Sequence, residues 1–580
     1  MSQDNANANN TNVNNATVNN ATVNPWEVSG VVDYNKLVKD FGTELIDNDL
    51  MERFERVTGH ELHPWIKRGI FFSHRRLHDF LNAYENGDPI FLYTGRGPTS
   101  ESLHLGHLIP FTMTLWLQKV FKCPLVIQIA DDEKYYFKDI DFDEIMRLGK
   151  ENSKDIIAFG FDPELTFIFS NAEYRGRCPE KESCKEYEAF VSDMKNNISF
   201  RTVQKIFGLT DENSNVGQYD WPFYQSAAAF YKAYPHLFND VPAQCLVVYA
   251  IDQDPYFRMA NDLAETMHLP KICSIMSTFI PPLTGNDGKM SSSVGTSATI
   301  FLTDDEKTIH EKVKKYAFSG GGLTVNEHRA NGGNTDKDMS YQYLRYFEHD
   351  DTVLNNIKTE FTKGNMLCSE IKTILANKLT SVITEHQNNR KQVTEEVLED
   401  FYSRKQLKNY RKGHDMTSDE SHLMGALEKL GVTNTHTTYH NEVKSYEDSL
   451  SLQKKLRGEA FKNIVLQSND KTYLLVMKNT DQKVNLNKLK TQLQTDKIKF
   501  AERESIGKLF NINENCASIF SLLPSNNNTT VLFDSRITNK KPKYVCFHPL
   551  RNDASLSLSY GDMLKFLQHN NIETVNVDVN

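Results

Sequence analysis

None of the eight cysteines in this 580-residue chain stands in a Cys-x-x-Cys pair. They are spread over positions 123, 178, 184, 245, 273, 368, 516 and 546, several inside apolar runs. That usage argues against a disulfide framework or a cysteine-based zinc site and fits buried thiols in a reducing compartment. No stretch reaches the roughly 18 consecutive apolar residues that a membrane helix needs, so no membrane association is expected. The first residues are asparagine-rich and carry neither a basic nor an apolar targeting region, which argues against secretion and for the cytoplasm. Positive charge is not in excess either: 66 Lys and Arg face 76 Asp and Glu, a formal net charge of −10. An acidic total leaves nucleic-acid binding open, because binding depends on local patches. The candidate patches are 312–315, 404–412 and 540–543, and each also reads as a solvated face.

At this length several domains are expected. Residues 1–24 repeat Asn with Ala, Thr and Val and read as a disordered arm. An N-terminal extension over 25–87 carries a short hairpin around Trp26 and Val28, then helices, with Ser73 as an N-cap after the apolar run from Ile70. Residues 88–293 alternate apolar strands with amphipathic helices, the α/β pattern, interrupted by a polar insertion over 175–218. Parallel strands are expected at 90–94, 124–130, 166–170, 244–251 and 274–279, whose near-continuous apolar character fits burial on both faces. The acids Asp131, Asp132 and Glu133 suit a helix N-terminus. Residues 294–407 read as helical, 408–422 as a linker, and 423–580 as a separate α+β module with strands at 464–467, 473–477 and 531–533 and a final helix around Met563.

One stretch organises the chain. Residues 92–107 read Leu-Tyr-Thr-Gly-Arg-Gly-Pro-Thr-Ser-Glu-Ser-Leu-His-Leu-Gly-His. An apolar run enters, a Gly-Arg-Gly-Pro turn breaks it, and helical spacing resumes after His107. A strand, a Gly-rich turn and a helix start are how an α/β sheet builds a phosphate site, with backbone N–H groups and the positive helix end facing the anion. Two imidazoles and the Arg96 guanidinium there can hold a polyphosphate and stabilise charge that shifts on it. A second motif, Lys289-Met290-Ser291-Ser292-Ser293, follows a turn-rich stretch and suits a loop that closes over phosphates. The two resemble the nucleotide motifs of class I aminoacyl-tRNA synthetases, usually written HIGH and KMSKS.

Residues from about 25 to 407 resemble the eukaryotic branch of the tryptophanyl-tRNA synthetase family. The resemblance runs through Gly69-Ile-Phe-Phe-Ser-His-Arg75, Tyr93-Thr-Gly-Arg-Gly-Pro98, Gln128-Ile-Ala-Asp-Asp-Glu-Lys134, Ala250-Ile-Asp-Gln-Asp-Pro-Tyr-Phe-Arg-Met259 and Lys289-Met-Ser-Ser-Ser293. It implies a Rossmann-type catalytic domain followed by a helical anticodon-binding domain, acting as a homodimer on L-tryptophan, ATP with Mg2+, and tRNA(Trp), with no resident metal. It also implies roles. Tyr93 and Gln128 would accept the indole N–H, and Glu133, Gln225 and Gln253 would hold the α-amino group. Asp252 would receive the ATP ribose, and Thr94, Gly95, Gly106, Met290, Ser291, Ser292 and Ser293 would line the nucleotide, with Gly106 allowing close approach. His104, His107, Arg96 and Lys289 would stabilise the transition state. The general motif has a second lysine where this chain has Ser292, which shifts electrostatic work toward Lys289 and Arg96. The alternatives are the sister tyrosyl-tRNA synthetase, with the same fold and nucleotide motifs, an adenylyltransferase without tRNA, and a catalytically dead paralogue that only binds.

Residues 431–568 resemble the YbaK/prolyl-tRNA-synthetase-associated editing family, through Gly458-Glu-Ala-Phe-Lys-Asn463, Tyr473-Leu-Leu-Val-Met477, Val484-Asn-Leu-Asn-Lys488 and Phe547-His-Pro-Leu-Arg-Asn-Asp-Ala-Ser555. Lys462 matches that family's functional lysine. The family's Gly-x-x-x-Pro is replaced by Asn515-Cys-Ala-Ser-Ile519, so both special backbone residues are gone. Two readings stay open: a deacylase of mischarged tRNA, and an appendage that binds tRNA or a partner, the second slightly favoured.

Overall fold

The computed structural model describes residues 16–18, 21–26, 28–30, 32–210, 212, 214–238, 241–285, 289–290, 297–407, 418–432, 435–440, 442–443, 445–454, 456–468, 471–478, 483–510, 512, 516–523 and 529–579. They divide into two compact units, one of Met1–Leu81, Ile90–Leu237 and Gln244–Asn409, the other of Asn82–Pro89, Phe238–Ala243 and Tyr410–Asn580.

In the first unit, β1 (Ala16–Val18), β2 (Ala21–Val23) and β3 (Val28–Ser29) form a small antiparallel sheet. This corrects the expectation of a wholly disordered arm over 1–24. Thr and Val between turn residues suffice for strands once Val23 is buried, here to 3% exposure. A seven-stranded sheet follows, built from β4 (Glu44–Leu45), β5 (Phe71–Arg75), β6 (Ile90–Arg96), β7 (Leu125–Ile129), β8 (Thr166–Ser170), β9 (Gln244–Ala250) and β10 (Cys273–Ser277), in the order β4-β5-β10-β9-β6-β7-β8. β10, β9, β6, β7 and β8 run parallel; β5 is antiparallel to both β10 and β4. All five expected parallel strands are present. Ser73 is not an N-cap: it lies within β5, fully buried, with its hydroxyl toward the sulfur of Met276. The chain leaves β6 toward β7 and β8, then returns to β9 on the other side of β6. That reversal opens a crevice beyond the carboxyl ends of β6 and β9, where open α/β sheets bind ligands.

The polar insertion supplies the helices Lys185–Asn196 and Phe200–Phe207, and Asp131, Asp132 and Glu133 begin the helix Asp131–Phe137. The segment after the second motif is helical, as its periodicity predicts, but it belongs to the same compact unit as the sheet. Side chains of one helix, Cys368–Arg390, explain why. Arg390 pairs with Asp155 and Glu151, and Asn389 donates to the Ala158 carbonyl. Asp155 in turn accepts the Leu103 N–H beside His104.

The second unit has the helix Ser418–Lys429, with Leu423 and Leu427 buried, so the end of the expected linker is helical. Its mixed sheet joins β11 (His436–Tyr439), β12 (Glu459–Ser468), β13 (Lys471–Lys478), β14 (Lys499–Phe500), β15 (Thr529–Asp534), β16 (Tyr544–Phe547), β17 (Ala554–Ser559) and β18 (Thr574–Val577). The helix Tyr560–His569 buries Met563 and Leu567 as expected but is not the last element, because β18 follows and pairs with β15.

Candidate active site

The crevice beyond β6 and β9 is a cavity of about 780 Å³, toward the upper end for a small-molecule site. Its walls come from distant parts of the chain. Tyr93, Thr94, Gly95 and Arg96 end β6, His104, Gly106 and His107 open the helix Leu105–Phe121, and Asp252 and Gln253 follow β9. Glu133, Lys134, Gln225, Lys289 and Met290 complete it. Both nucleotide motifs therefore meet beside Tyr93. Ser291, Ser292 and Ser293 lie outside the described residues.

The two histidines build the helix start. Gly106 N–H donates to His104 Nδ1 at 3.1 Å, and His104 N–H donates to His107 Nδ1 at 3.2 Å. The rings stack with centroids 3.6 Å apart. A backbone N–H can only donate, so each Nδ1 is unprotonated and each neutral ring carries its proton on Nε2. Burial and the cations Arg96 and Lys289 press His104 down to about 3, and burial with Arg96, His104, Lys289 and Lys134 holds His107 well below the usual imidazole range. The pair presents two neutral rings with their protons on Nε2, not two charges.

Two consequences can be measured. Activity at this site is expected to show no inflection from these rings between about pH 5 and 8. Stability behaves differently. An unfolded histidine titrates near about 6.5, so the contribution of His104 is complete above that pH and declines as pH falls toward 3. Urea unfolding at neutral and mildly acidic pH should lose less stability in His104→Gln than in the parent.

Gly106 lines the cavity beside the two rings. A Cβ there would lie 2.9 Å from His104 Cε1 and 3.3 Å from Ile280 Cγ2. Its missing side chain first of all admits the capping ring. Gly106→Ala should push His104 aside and lower steady-state activity at the site by about 100-fold, the cost of an ångström-scale misplacement.

Arg96 supplies the buried charge. Its Nε donates to Asn152 Oδ1 at 3.0 Å, and its Nη2 is buried without a hydrogen-bond partner among the described residues. Burial lowers its pKa to about 10, still cationic at neutral pH. A buried guanidinium nitrogen without a partner is costly unless an anion completes it. Lys289 Nζ pairs with Asp252 Oδ2 at 2.5 Å, and Lys134 Nζ pairs with Glu133 Oε1 at 2.8 Å. Gly97 makes room for the second pair, since a Cβ there would meet Lys134 Cε at 2.2 Å. Lys134 lies in the 128–134 block without a role implied by the resemblance; burial holds its pKa below the usual lysine value.

On the amino-acid side, Gln225 Nε2 donates to Gln253 Oε1 at 3.2 Å, and both reach the cavity with Glu133. The Tyr93 hydroxyl donates to Gln128 Oε1 at 2.7 Å. Gln128 does not itself line the cavity and lies buried beyond Tyr93. Pro25 and Trp26, which periodicity did not mark for the site, also line it: Trp26 stacks on Phe137 at 5.1 Å, and the Pro25 carbonyl accepts from Gln253.

The family model described as tRNA synthetases class I (W and Y) matches residues 85–404, more than half of the chain. The chain belongs to the class I tRNA synthetases, in their tryptophanyl branch. It is 47% identical to the cytoplasmic tryptophan–tRNA ligase of Bos taurus over 388 residues, 66% of this chain and 80% of the bovine protein. To that of Saccharomyces cerevisiae it is 42% identical over 389 residues, 65% of this chain and 88% of the yeast protein. Among solved structures, tryptophanyl-tRNA synthetase of Plasmodium falciparum matches with a TM-score of 0.59 and 43% identity, over 64% of this chain and 95% of that one. The enzyme of Encephalitozoon cuniculi bound to tryptophan matches with a TM-score of 0.59 and 36% identity, over 65% of this chain and 99% of that one. An aminoacyl-tRNA editing domain model matches residues 440–566. There Lys462 is an exposed residue of β12, opposite Met477 of β13. Asn515 lies outside the described residues, whereas Ile519 is fully buried in the core with Phe461 and Phe520.

Proposed function

We propose that this synthetase, a tryptophan–tRNA ligase, divides its cavity between an indole site at Tyr93 and a polyphosphate site at Arg96, His104, His107 and Lys289. The tryptophan carboxylate attacks the α-phosphorus of ATP, the bond to the bridging oxygen breaks, and pyrophosphate leaves, giving tryptophanyl-adenylate. A terminal ribose hydroxyl of tRNA(Trp) then attacks the acyl carbon, and AMP leaves with the electron pair of the broken anhydride. The carboxylate is already a nucleophile, so the first step needs alignment and charge stabilisation, not a general base. Arg96 Nη2 and the two Nε2–H groups supply fixed donors, and Lys289 exchanges Asp252 for phosphate oxygen. Asp252 is then released to the ribose, and Glu133 with Gln225 and Gln253 holds the ammonium. Thr94, Gly95 and Met290 flank the nucleotide.

Bound with the nucleotide, Mg2+ would neutralise phosphate charge. Among the described residues no group of three His, Cys, Asp or Glu could hold a metal ion, and Glu133 and Asp252 are each engaged by a lysine, so its ligands would be phosphate oxygens and water. The enzyme acts as a cytoplasmic homodimer, a reading supported by the family; light scattering checks the mass. No helix among the described residues is long and apolar enough to cross a membrane.

One observation carries the catalytic reading: the two motifs line one cavity with Tyr93. Exchange that depends on tryptophan and not on tyrosine is the expected result, and tyrosine-dependent exchange would favour the sister enzyme. For the C-terminal module we favour an appendage that binds tRNA, because Ile519 stands in a short buried helical turn, Ile519–Leu522, where the editing family has its proline. Mischarged alanyl- or seryl-tRNA should survive incubation with the full chain. Hydrolysis that disappears in Lys462→Ala would establish a deacylase instead.

A further inference from the structure

Gln128 is an amide with a donor end and an acceptor end, and its own chemistry does not decide which end meets Tyr93. Its surroundings do. Its nitrogen lies 2.8 Å from Asn171 Oδ1, 3.4 Å from the Tyr224 carbonyl oxygen and 3.5 Å from the Tyr187 hydroxyl. A carbonyl can only accept, so the nitrogen faces Tyr224. Asn171 is a second amide, and its nitrogen donates to Asp132 Oδ2 at 3.0 Å. Asp132 is gripped from outside by Arg175 at 3.1 Å and Arg177 at 2.5 Å, so it accepts from Asn171. The Tyr187 hydroxyl lies 2.9 Å from Asn171 Oδ1 and 3.1 Å from the Tyr224 carbonyl, holding the same junction. Asn171, Asp132, Gln128 and Tyr187 are all at most 1% exposed, where a misdirected amide would leave polar groups unpaired.

The chain of hydrogen bonds therefore has one direction. Tyr93 donates to Gln128, Gln128 to Asn171, and Asn171 to Asp132. The single hydroxyl hydrogen of Tyr93 is committed inward, which leaves its oxygen an acceptor toward the cavity. We propose that Asn171, backed by Asp132, is a specificity-determining positioning residue: it sets the orientation of the Gln128 amide and so holds Tyr93 ready to accept the N–H of the substrate's indole. This rests on the reading of Tyr93 as the residue that meets that N–H.

The test compares tryptophan with β-(3-benzothienyl)alanine, in which sulfur replaces the indole N–H, as substrates for pyrophosphate exchange. Parent enzyme should favour tryptophan strongly, since a site built for a hydrogen bond rejects a ligand that lacks it. Asn171→Leu, close to the same size, should lower the ratio of the two kcat/KM values by about ten-fold or more, through weaker use of tryptophan and not through a general loss. Tyr187→Phe, a milder change that keeps the packing, should lower the ratio in the same direction by a smaller factor. Equal losses with both substrates, or an unchanged ratio in Tyr187→Phe should Asn171→Leu not fold, would overturn the proposal. Tyr93→Phe separates the two layers. If it leaves the ratio intact, the underlying reading of Tyr93 is wrong. If it collapses the ratio while Asn171→Leu and Tyr187→Phe do not, only the role of Asn171 fails.

Discussion

Replacing Lys289 with alanine is expected to lower tryptophan-dependent pyrophosphate exchange by about 100- to 1,000-fold, the usual loss when one charge-stabilising donor is removed. Tryptophan affinity should hardly move. The reason lies in where Lys289 spends its charge. In the structure its ammonium sits on Asp252, 2.5 Å from Oδ2, and makes no hydrogen bond to Tyr93, Glu133, Gln225 or Gln253. Among the described residues its hydrogen-bonded link to the amino-acid side runs through Asp252, which also accepts weakly from Gln253 at 3.4 Å. On the proposed mechanism its charge acts when the nucleotide takes over Asp252 and phosphate replaces it. An interaction made only near the transition state lowers kcat and kcat/KM together and leaves substrate binding alone. Fluorescence titration with tryptophan and exchange kinetics on the same preparation separate the two. Equal exchange rates in variant and parent would remove Lys289 from the mechanism. Ser292, which replaces the second lysine of the general motif, sharpens the expectation, because the motif itself supplies no second ammonium.

The parallel strands were legible because each is buried on both faces and written almost wholly in apolar residues, as in Leu125–Ile129. β5 was harder. It ends in Ser73, His74 and Arg75, polar residues that read as a helix start until the sheet pairs them with β10 and Arg75 finds Asp254. In the second unit, β17 reads Ala-Ser-Leu-Ser-Leu-Ser, an alternation that is a strand signal, yet Ser555 and Ser557 are buried beside Leu556 and Leu558, so hydrophobicity alone did not mark it. The nucleotide motifs were legible because each holds its chemistry within a few consecutive residues. The pairings Lys289 with Asp252 and Lys134 with Glu133, and the Asn171 relay, were not. Their partners are set by where strands and helices end in space, and no periodicity records that. Nor could spacing tell that His104 and His107 spend their Nδ1 atoms on the backbone and stay uncharged.

Arg96 should prove less replaceable than Lys289. Arg96→Gln is expected to cost about 1,000-fold or more in exchange, at the lower bound of what an arginine contributes to phosphoryl transfer. Arg96→Lys should recover only a small part, although it restores the charge. The guanidinium is a planar fork with its edges assigned: Nε is held by Asn152, and Asn152 is itself tied to the Ser100 carbonyl at 2.7 Å within the turn that leads to His104. Nη2, buried and unpartnered among the described residues, is the edge left for the anion. A lysine has no planar fork and cannot satisfy Asn152 and a phosphate with the same geometry. Burial disfavours the Arg96 cation while the carboxylates of Glu133 and Asp155 favour it, and on the proposed reading a polyphosphate adds further favourable charge that grows as charge develops on the departing pyrophosphate. The sign of the stability change discriminates further. If Arg96 is an anion site and not a structural ion pair, Arg96→Gln should leave the thermal midpoint of the ligand-free enzyme unchanged or raise it, while abolishing the additional stabilisation that ATP gives the parent. A variant destabilised without ligand, yet still stabilised by ATP, would place Arg96 in the scaffold and leave the transition state to the histidine pair and Lys289.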